Sequence, residues 1–202
     1  MTYPAPAPVF DPARTAVLIM DYQVGIVGGL PGGQDLLLQR AKAVLATARH
    51  AGLLVIHVMV RFRTGHPEIG PNNLLFSGLR ESRRFSADDP SGELHPAVPP
   101  LSGDLVVTKR RVSAFAGSDL DLILRARGLD TLVLFGIATG GVVLSTVRQA
   151  ADADYRLFVL SDVCADREPE VHQCLIEKIL PRQATMLGSD AFISALRAPH
   201  AS

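Results

Sequence analysis

An acid that ends one apolar run and a lysine that follows another are the residues best placed to do chemistry together. Asp21 closes "TAVLIMD", with Gln23 close behind it, and Lys109 comes directly after "DLVVT". A carboxyl group can give or accept a proton, and a neighbouring ammonium can tune it or hold an anion. The plainer reading is a structural ion pair or two solvated strand ends, and spacing alone leaves both open. A third stretch, "GIATGGVVLSTVRQA" from Gly136 to Ala150, follows an apolar run and opens a helical pattern. It holds no Cys, His, Asp or Glu, so its side chains bring no strong nucleophile. Its backbone still offers N–H donors at a helix N-terminus, where the dipole favours an anion.

These residues need a scaffold that gathers strand ends. "TAVLIMD", "LLVIHVMV", "DLVVT", "TLVLFG", "YRLFVLSD" and "ATML" read as six strands, mostly short apolar runs of the kind buried on both faces. Between them lie helical patterns: "QDLLLQRAKAVLATARHAG", "DLDLILRARG" with Ser118 and Asp121 as a capping box, "GGVVLSTVRQAADAD" and "EPEVHQCLIEKIL". "SDAFISALRA" closes the series. Strict alternation predicts an α/β fold, three-layer and doubly wound (Rossmann-like), around a mostly parallel six-stranded sheet. Ligands bind such sheets beyond the carboxyl ends of the strands, which is where Asp21, Lys109 and the Gly136 turn fall. From Arg61 to about Pro100 the chain is polar and rich in Gly and Pro, a long excursion expected to cover substrate or contact a neighbouring subunit. Its Arg61, Arg63 and Arg84 could hold a substrate carboxylate, although solvated surface is the plainer reading for each.

The totals bound the function. With 202 residues the chain is long enough for one domain and short for two. Twenty basic residues balance twenty acidic ones, so no global field favours nucleic acid or an anionic membrane, and weak charge repulsion favours self-association. "MTYPAPAPVFDPART" has Pro where a signal peptide needs an apolar core, and no run reaches membrane-spanning length. Cytoplasmic residence with Cys164 and Cys174 reduced is the expectation. Cys174, at helical spacing from Val171, reads as core, and Cys164 as a small buried hydrophobe. His57, His66, His95 and His172 are scattered, and Ser145 has no assigned base.

The ordered set "VLIMDYQ", "VVTKRRVSAF…SDLDLILRARG" and "LVLFGIATGGVVLSTVRQAADADYRLFVLSDVCAD" resembles the isochorismatase-like hydrolase superfamily, from about Ala13 to Asp190. The resemblance implies one such domain over residues 1–202. Most members are cysteine hydrolases whose site joins an acid ending strand one, a lysine ending strand three and a cysteine opening the helix after strand four. Here the acid is Asp21 and the lysine Lys109. Gly136 and Thr139 match the pattern Gly-x-x-Thr-x-x-Cys, and the cysteine position falls on Val142, which cannot attack a carbonyl. The resemblance also implies a non-proline cis peptide at Ile137–Ala138. Substrate contacts are then expected from Gln23, Arg61, Ala138 and Gly141.

True isochorismatases keep the acid and lysine without the thiol, and "KRRVSAF" is closer to their Lys-x-Arg-x-Ser-Ala-Phe segment. Val142 is bulkier than the small residue usual there, which sets this chain apart from them. "VRFRTGHPEIG" lacks the Asp-x-His cluster of metal-holding nicotinamidases, so no metal and no other cofactor is expected. Relatives commonly form dimers or tetramers, so a homodimer or homotetramer is expected, with a small-molecule substrate. Three readings stand: a hydrolase using Asp21 and Lys109 without a thioester, a non-catalytic ligand-binding or scaffold relative, and an amide hydrolase using another nucleophile such as Cys164.

Overall fold

Runs such as "TAVLIM" and "TLVLFG" must be covered on both faces, and both are wholly buried in the computed structural model, which describes residues 8–198. The first seven residues of the proline-rich start, and residues 199–202, lie outside the described part of the single domain expected over residues 1–202. Six strands form one sheet: β1 (Thr15–Met20), β2 (Leu54–Val60), β3 (Leu105–Lys109), β4 (Thr131–Gly136), β5 (Arg156–Leu160) and β6 (Thr185–Leu187). Their order is β3-β2-β1-β4-β5-β6, and every pairing is parallel.

Among the described residues, seven α-helices connect and cover them: α1 (Val24–Val27), α2 (Gln34–His50), α3 (Leu74–Glu81), α4 (Leu120–Ala126), α5 (Leu144–Asp152), α6 (Pro169–Cys174) and α7 (Ser189–Arg197). The chain winds outward from β1 through β2 to β3, then returns to β4 and winds the other way. Right-handed crossovers therefore put α2 and α5 on opposite faces, giving three layers. α7 packs against α2, and the Phe10 ring meets Phe158 and Phe192 edge-on at 4.9 and 5.1 Å. Winding reverses between β1 and β4, which opens a crevice at their carboxyl ends. Among the described residues, no helix is long and apolar enough to cross a membrane.

Four local differences from the sequence reading have physical causes. β3 begins one residue later and takes in Lys109, because Lys109 pairs in register with Val60. The Ser118–Asp121 capping box does not form: the Ser118 hydroxyl accepts from the Leu120 N–H at 3.3 Å, and the Asp121 carboxylate turns to Arg125 one turn on. The excursion at residues 61–100 is not all loop. It holds α3, capped by the Asn73 side chain, and a small core of Val60, Phe62, Ile69, Phe76 and Phe85. The helix after β5 breaks at Cys174 into a wider turn, Leu175–Ile179, and Cys174 is exposed rather than core.

Candidate active site

Asp21 is placed by a sharp turn at the end of β1. Its φ is +58°, a left-handed conformation that Asp tolerates better than most side chains. The turn is fixed on both sides, since the Asp21 N–H donates to the Val58 carbonyl at 2.8 Å and its carbonyl accepts from Gln23 at 2.8 Å. Lys109 reaches Asp21 past the end of β2. Its Nζ lies 2.9 Å from Asp21 Oδ2 and also donates to the Arg111 carbonyl at 3.0 Å. Both side chains are almost wholly out of water, and Asp21 Oδ1 has no hydrogen-bond partner among the described residues. Burial pushes the Asp21 carboxyl above the usual carboxylate range, and the opposing pull of Lys109 does not cancel it. The group is thus biased toward the form that can donate a proton.

The turn after β4 brings the third component. A Cβ on Gly136 would lie 2.7 Å from the Met20 carbonyl oxygen, so only glycine lets β4 pass β1 this closely. The Ile137–Ala138 peptide is cis, as the family resemblance implies. Thr139, fully buried, shares a 2.8 Å hydrogen bond with His172 Nδ1. The Gly140 N–H donates to Asp166 Oδ2 at 2.7 Å. Val142 is buried.

A cleft of about 400 Å³ joins these parts. Asp21, Lys109, Ala138, Gly141 and Val142 all line it, so five of the seven sequence-predicted site residues come together. Gln23 and Arg61 do not line it. Gln23 is fully buried, its Nε2 donating to the Val60 and Gly92 carbonyls at 2.9 and 2.7 Å and its Oε1 accepting from the Val60 N–H. It ties the excursion to β2 and has no N–H left for a ligand. Arg61 turns away to Glu93, at 2.9 Å, and to the Ala87 carbonyl.

Arg84 is the excursion arginine that does reach the cleft, held by the Gly25 carbonyl at 3.1 Å and stacked on the Phe85 ring at 5.0 Å. The buried His66 imidazole hydrogen-bonds the Arg84 carbonyl at 2.8 Å. α3 adds an apolar wall of Leu75, Phe76 and Leu79. Asp166 and Arg167 also line the cleft and were not singled out from sequence. Their signal was faint: two charges in "CADRE", a few residues past the end of β5.

The other candidates lie elsewhere. Cys164 is in the core, and burial pushes its thiol up to about 12, which leaves almost no thiolate near neutrality. Asp162 caps α7 through Ser189, at 2.7 and 2.6 Å. His57 is buried against Asp104 and Arg49 and does not line the cleft. Among the described residues, no three His, Cys, Asp or Glu side chains converge to hold a metal ion.

Residues 15–191 match the family described as the isochorismatase domain. The isochorismatase family protein YwoC of Bacillus subtilis is 32% identical over 189 residues, covering 93% of this chain and 96% of its own. The ureidoacrylate amidohydrolase RutB of Caulobacter segnis is also 32% identical, covering 84% of this chain and 80% of its own. Among solved structures, a cysteine hydrolase from Pseudomonas syringae shares the fold with a TM-score of 0.84 at 24% identity, covering 97% of this chain and 98% of that one.

Proposed function

We propose, from the premise that this chain belongs to the isochorismatase family of hydrolases, that it hydrolyses a small carboxylate-bearing molecule by acid–base chemistry, without a covalent thioester. The observation that carries this reading is Asp21: a buried carboxyl with a raised pKa and an oxygen without a partner among the described residues, in a cleft also lined by Val142, the position to which the family resemblance assigns the nucleophile. A carboxylic acid so placed suits an enol ether. It protonates the vinyl carbon, an oxocarbenium-like cation forms, and water adds to it, so no side-chain nucleophile is needed. Lys109 holds Asp21 in place and keeps its carboxylate tolerable once the proton has left. Arg84 and Arg167 give the cleft cations for a substrate carboxylate, and Leu75, Phe76 and Leu79 give it a wall for an apolar body.

The test is hydrolysis of a panel of enolpyruvyl ethers. Activity should survive iodoacetamide and drop about 10²-fold or more in Asp21→Asn. Full activity in that variant would remove Asp21 from the chemistry. An amide substrate is the second reading, favoured by the amidohydrolase among the relatives. Turnover of ureidoacrylate with none of the enol ethers would select it. We also propose a cytoplasmic homodimer or homotetramer that engages no nucleic acid or membrane. Zero formal net charge and the exposed Leu74 and Leu75 at the start of α3 support self-association. Light scattering at micromolar concentration tests it.

A further inference from the structure

Protonating an enol ether is half of a hydrolysis; the other half needs a group that takes a proton from water. With valine at the nucleophile position, water must supply the oxygen, and the cleft lining contains no histidine, cysteine, serine or tyrosine to activate it. Its proton acceptors are two, Asp21 and Asp166. Asp21 is committed to donating the first proton and is paired with Lys109.

Asp166 is fixed where a second carboxylate can serve. Its Oδ2 accepts the Gly140 N–H at 2.7 Å and its Oδ1 accepts the Arg167 N–H at 2.8 Å. A carboxylate has about four lone-pair sites, so these two bonds orient the group and leave each oxygen able to accept from water. The approach is close: a Cβ on Gly140 would stand 3.2 Å from Asp166 Oδ2. The carboxylate also occupies an amide of the turn that could otherwise meet an anion. The turn thereby presents negative charge to the cleft, which suits a developing cation better than an oxyanion.

We infer that Asp166 is a catalytic residue, the general base that deprotonates the water added to the cation and then the acid that protonates the leaving oxygen. The inference rests on the enol-ether reading above. Asp21 gives a proton to the methylene carbon as the π pair forms the new C–H bond. A lone pair of water forms a C–O bond to the cationic carbon, and the water proton passes to Asp166. The hemiketal then collapses to a ketone: the C–O bond to the departing alcohol breaks, its oxygen takes the proton from Asp166, and the hemiketal hydroxyl returns a proton to Asp21. One water is consumed, and both acids regain their starting states.

The two halves separate experimentally with α-(cyclohexyloxy)acrylate in deuterium oxide. Wild type should form product. In Asp166→Asn the cation should revert, so that deuterium enters the vinyl group of unreacted substrate while product formation falls about 10²-fold or more. Asp166→Ser keeps an acceptor for the Gly140 N–H and should behave alike, with added formate restoring part of the rate. Asp21→Asn should lose both exchange and product. Wild-type product formation in Asp166→Asn overturns Asp166 and leaves the enol-ether reading standing. Loss of exchange and product together in both Asp166 variants, without formate rescue, reduces Asp166 to a prop of the turn. Neither exchange nor product in wild type overturns the enol-ether reading itself, and Asp166 with it.

Discussion

The Asp21 carboxyl and the Lys109 ammonium meet at 2.9 Å past the end of β2, with the second Asp21 oxygen unpartnered among the described residues. Their side chains are 7% and 2% exposed, so each holds the other's charge out of water. Removing one member of such a pair leaves an uncompensated buried charge and costs about 3–5 kcal/mol, whereas replacing both is far milder. Asp21→Leu and Lys109→Met should each lower the urea midpoint strongly, and the double variant should cost less than the sum by about 1 kcal/mol or more. Additive effects would mean that the two groups are neighbours without coupling.

The raised pKa of Asp21 has a stability signature of definite sign. The folded state holds this proton more tightly than the unfolded chain, whose Asp titrates near about 3.9. The contribution is therefore fully present below that unfolded value and is lost as pH rises through the higher folded value. Asp21→Asn cannot titrate, so the difference in unfolding free energy between wild type and variant isolates the effect. That difference should fall as pH is raised from about 4 to about 8 in urea titrations. A rise over the same range would show the Lys109 charge outweighing burial.

The scaffold was legible because burial on both faces leaves a plain mark: "TLVLFG" became β4 residue for residue, and "TAVLIMD" became β1 up to Met20, with Asp21 turning out of the strand. Asp21 and Lys109 were legible because a charge at the end of an apolar run has few reasons to be there. What spacing could not show was direction. Gln23 and Arg61 sit near the site in sequence, but their polar atoms are consumed by Val60, Gly92, Glu93 and Ala87, all tertiary partners. α3 was hidden in a Gly- and Pro-rich segment, although Asn73 before "LLFSGL" is a good cap and its side chain accepts the Phe76 N–H at 3.1 Å. Asp166 and Arg167 belong to the site only because the segment after β5 folds back against the Gly140 turn.

Thiol chemistry should be separable from activity. Cys174 is exposed and Cys164 is buried, with its thiol pushed up to about 12. In the native protein at pH near about 8, Ellman's reagent should titrate Cys174 alone, and Cys164 only after denaturation. Alkylated protein and Cys164→Ala should both keep their hydrolytic rate. Loss of activity in step with labelling of Cys164 would restore it as a nucleophile.

Gly136 couples the fold to the site. An alanine methyl there would stand 2.7 Å from the Met20 carbonyl oxygen and 2.9 Å from Met20 Cβ, and backbone cannot yield as a side-chain tip can. Gly136→Ala should cost about 1–3 kcal/mol by thermal or urea unfolding. Since Met20 immediately precedes Asp21, the same shift should displace the acid and lower kcat more than it raises KM. A silent substitution would mean that β1 and β4 part without consequence.

Val142 is the position to which the family resemblance assigns the thiol, and a cysteine placed there tests that assignment. The residue is 2% exposed and lines the cleft beside Ala138 and Gly141. Valine to cysteine is a small loss of volume, so Val142→Cys should fold with a penalty of under about 1.5 kcal/mol. Its sulfur would stand at the opening of the turn, in the cleft that Lys109 and Asp21 also line, with an Ala138 N–H that no acceptor among the described residues engages. That N–H could meet the oxyanion of a tetrahedral intermediate. The variant should show a burst of nitrophenol from an activated acyl ester and become sensitive to iodoacetamide, while wild type shows neither. Acylation without turnover is the expected end point, because Asp166 leaves negative charge on the Gly140 amide. Adding Asp166→Ser should then raise the burst rate. A Val142→Cys variant that folds but never acylates would show that this turn does not support thiol chemistry.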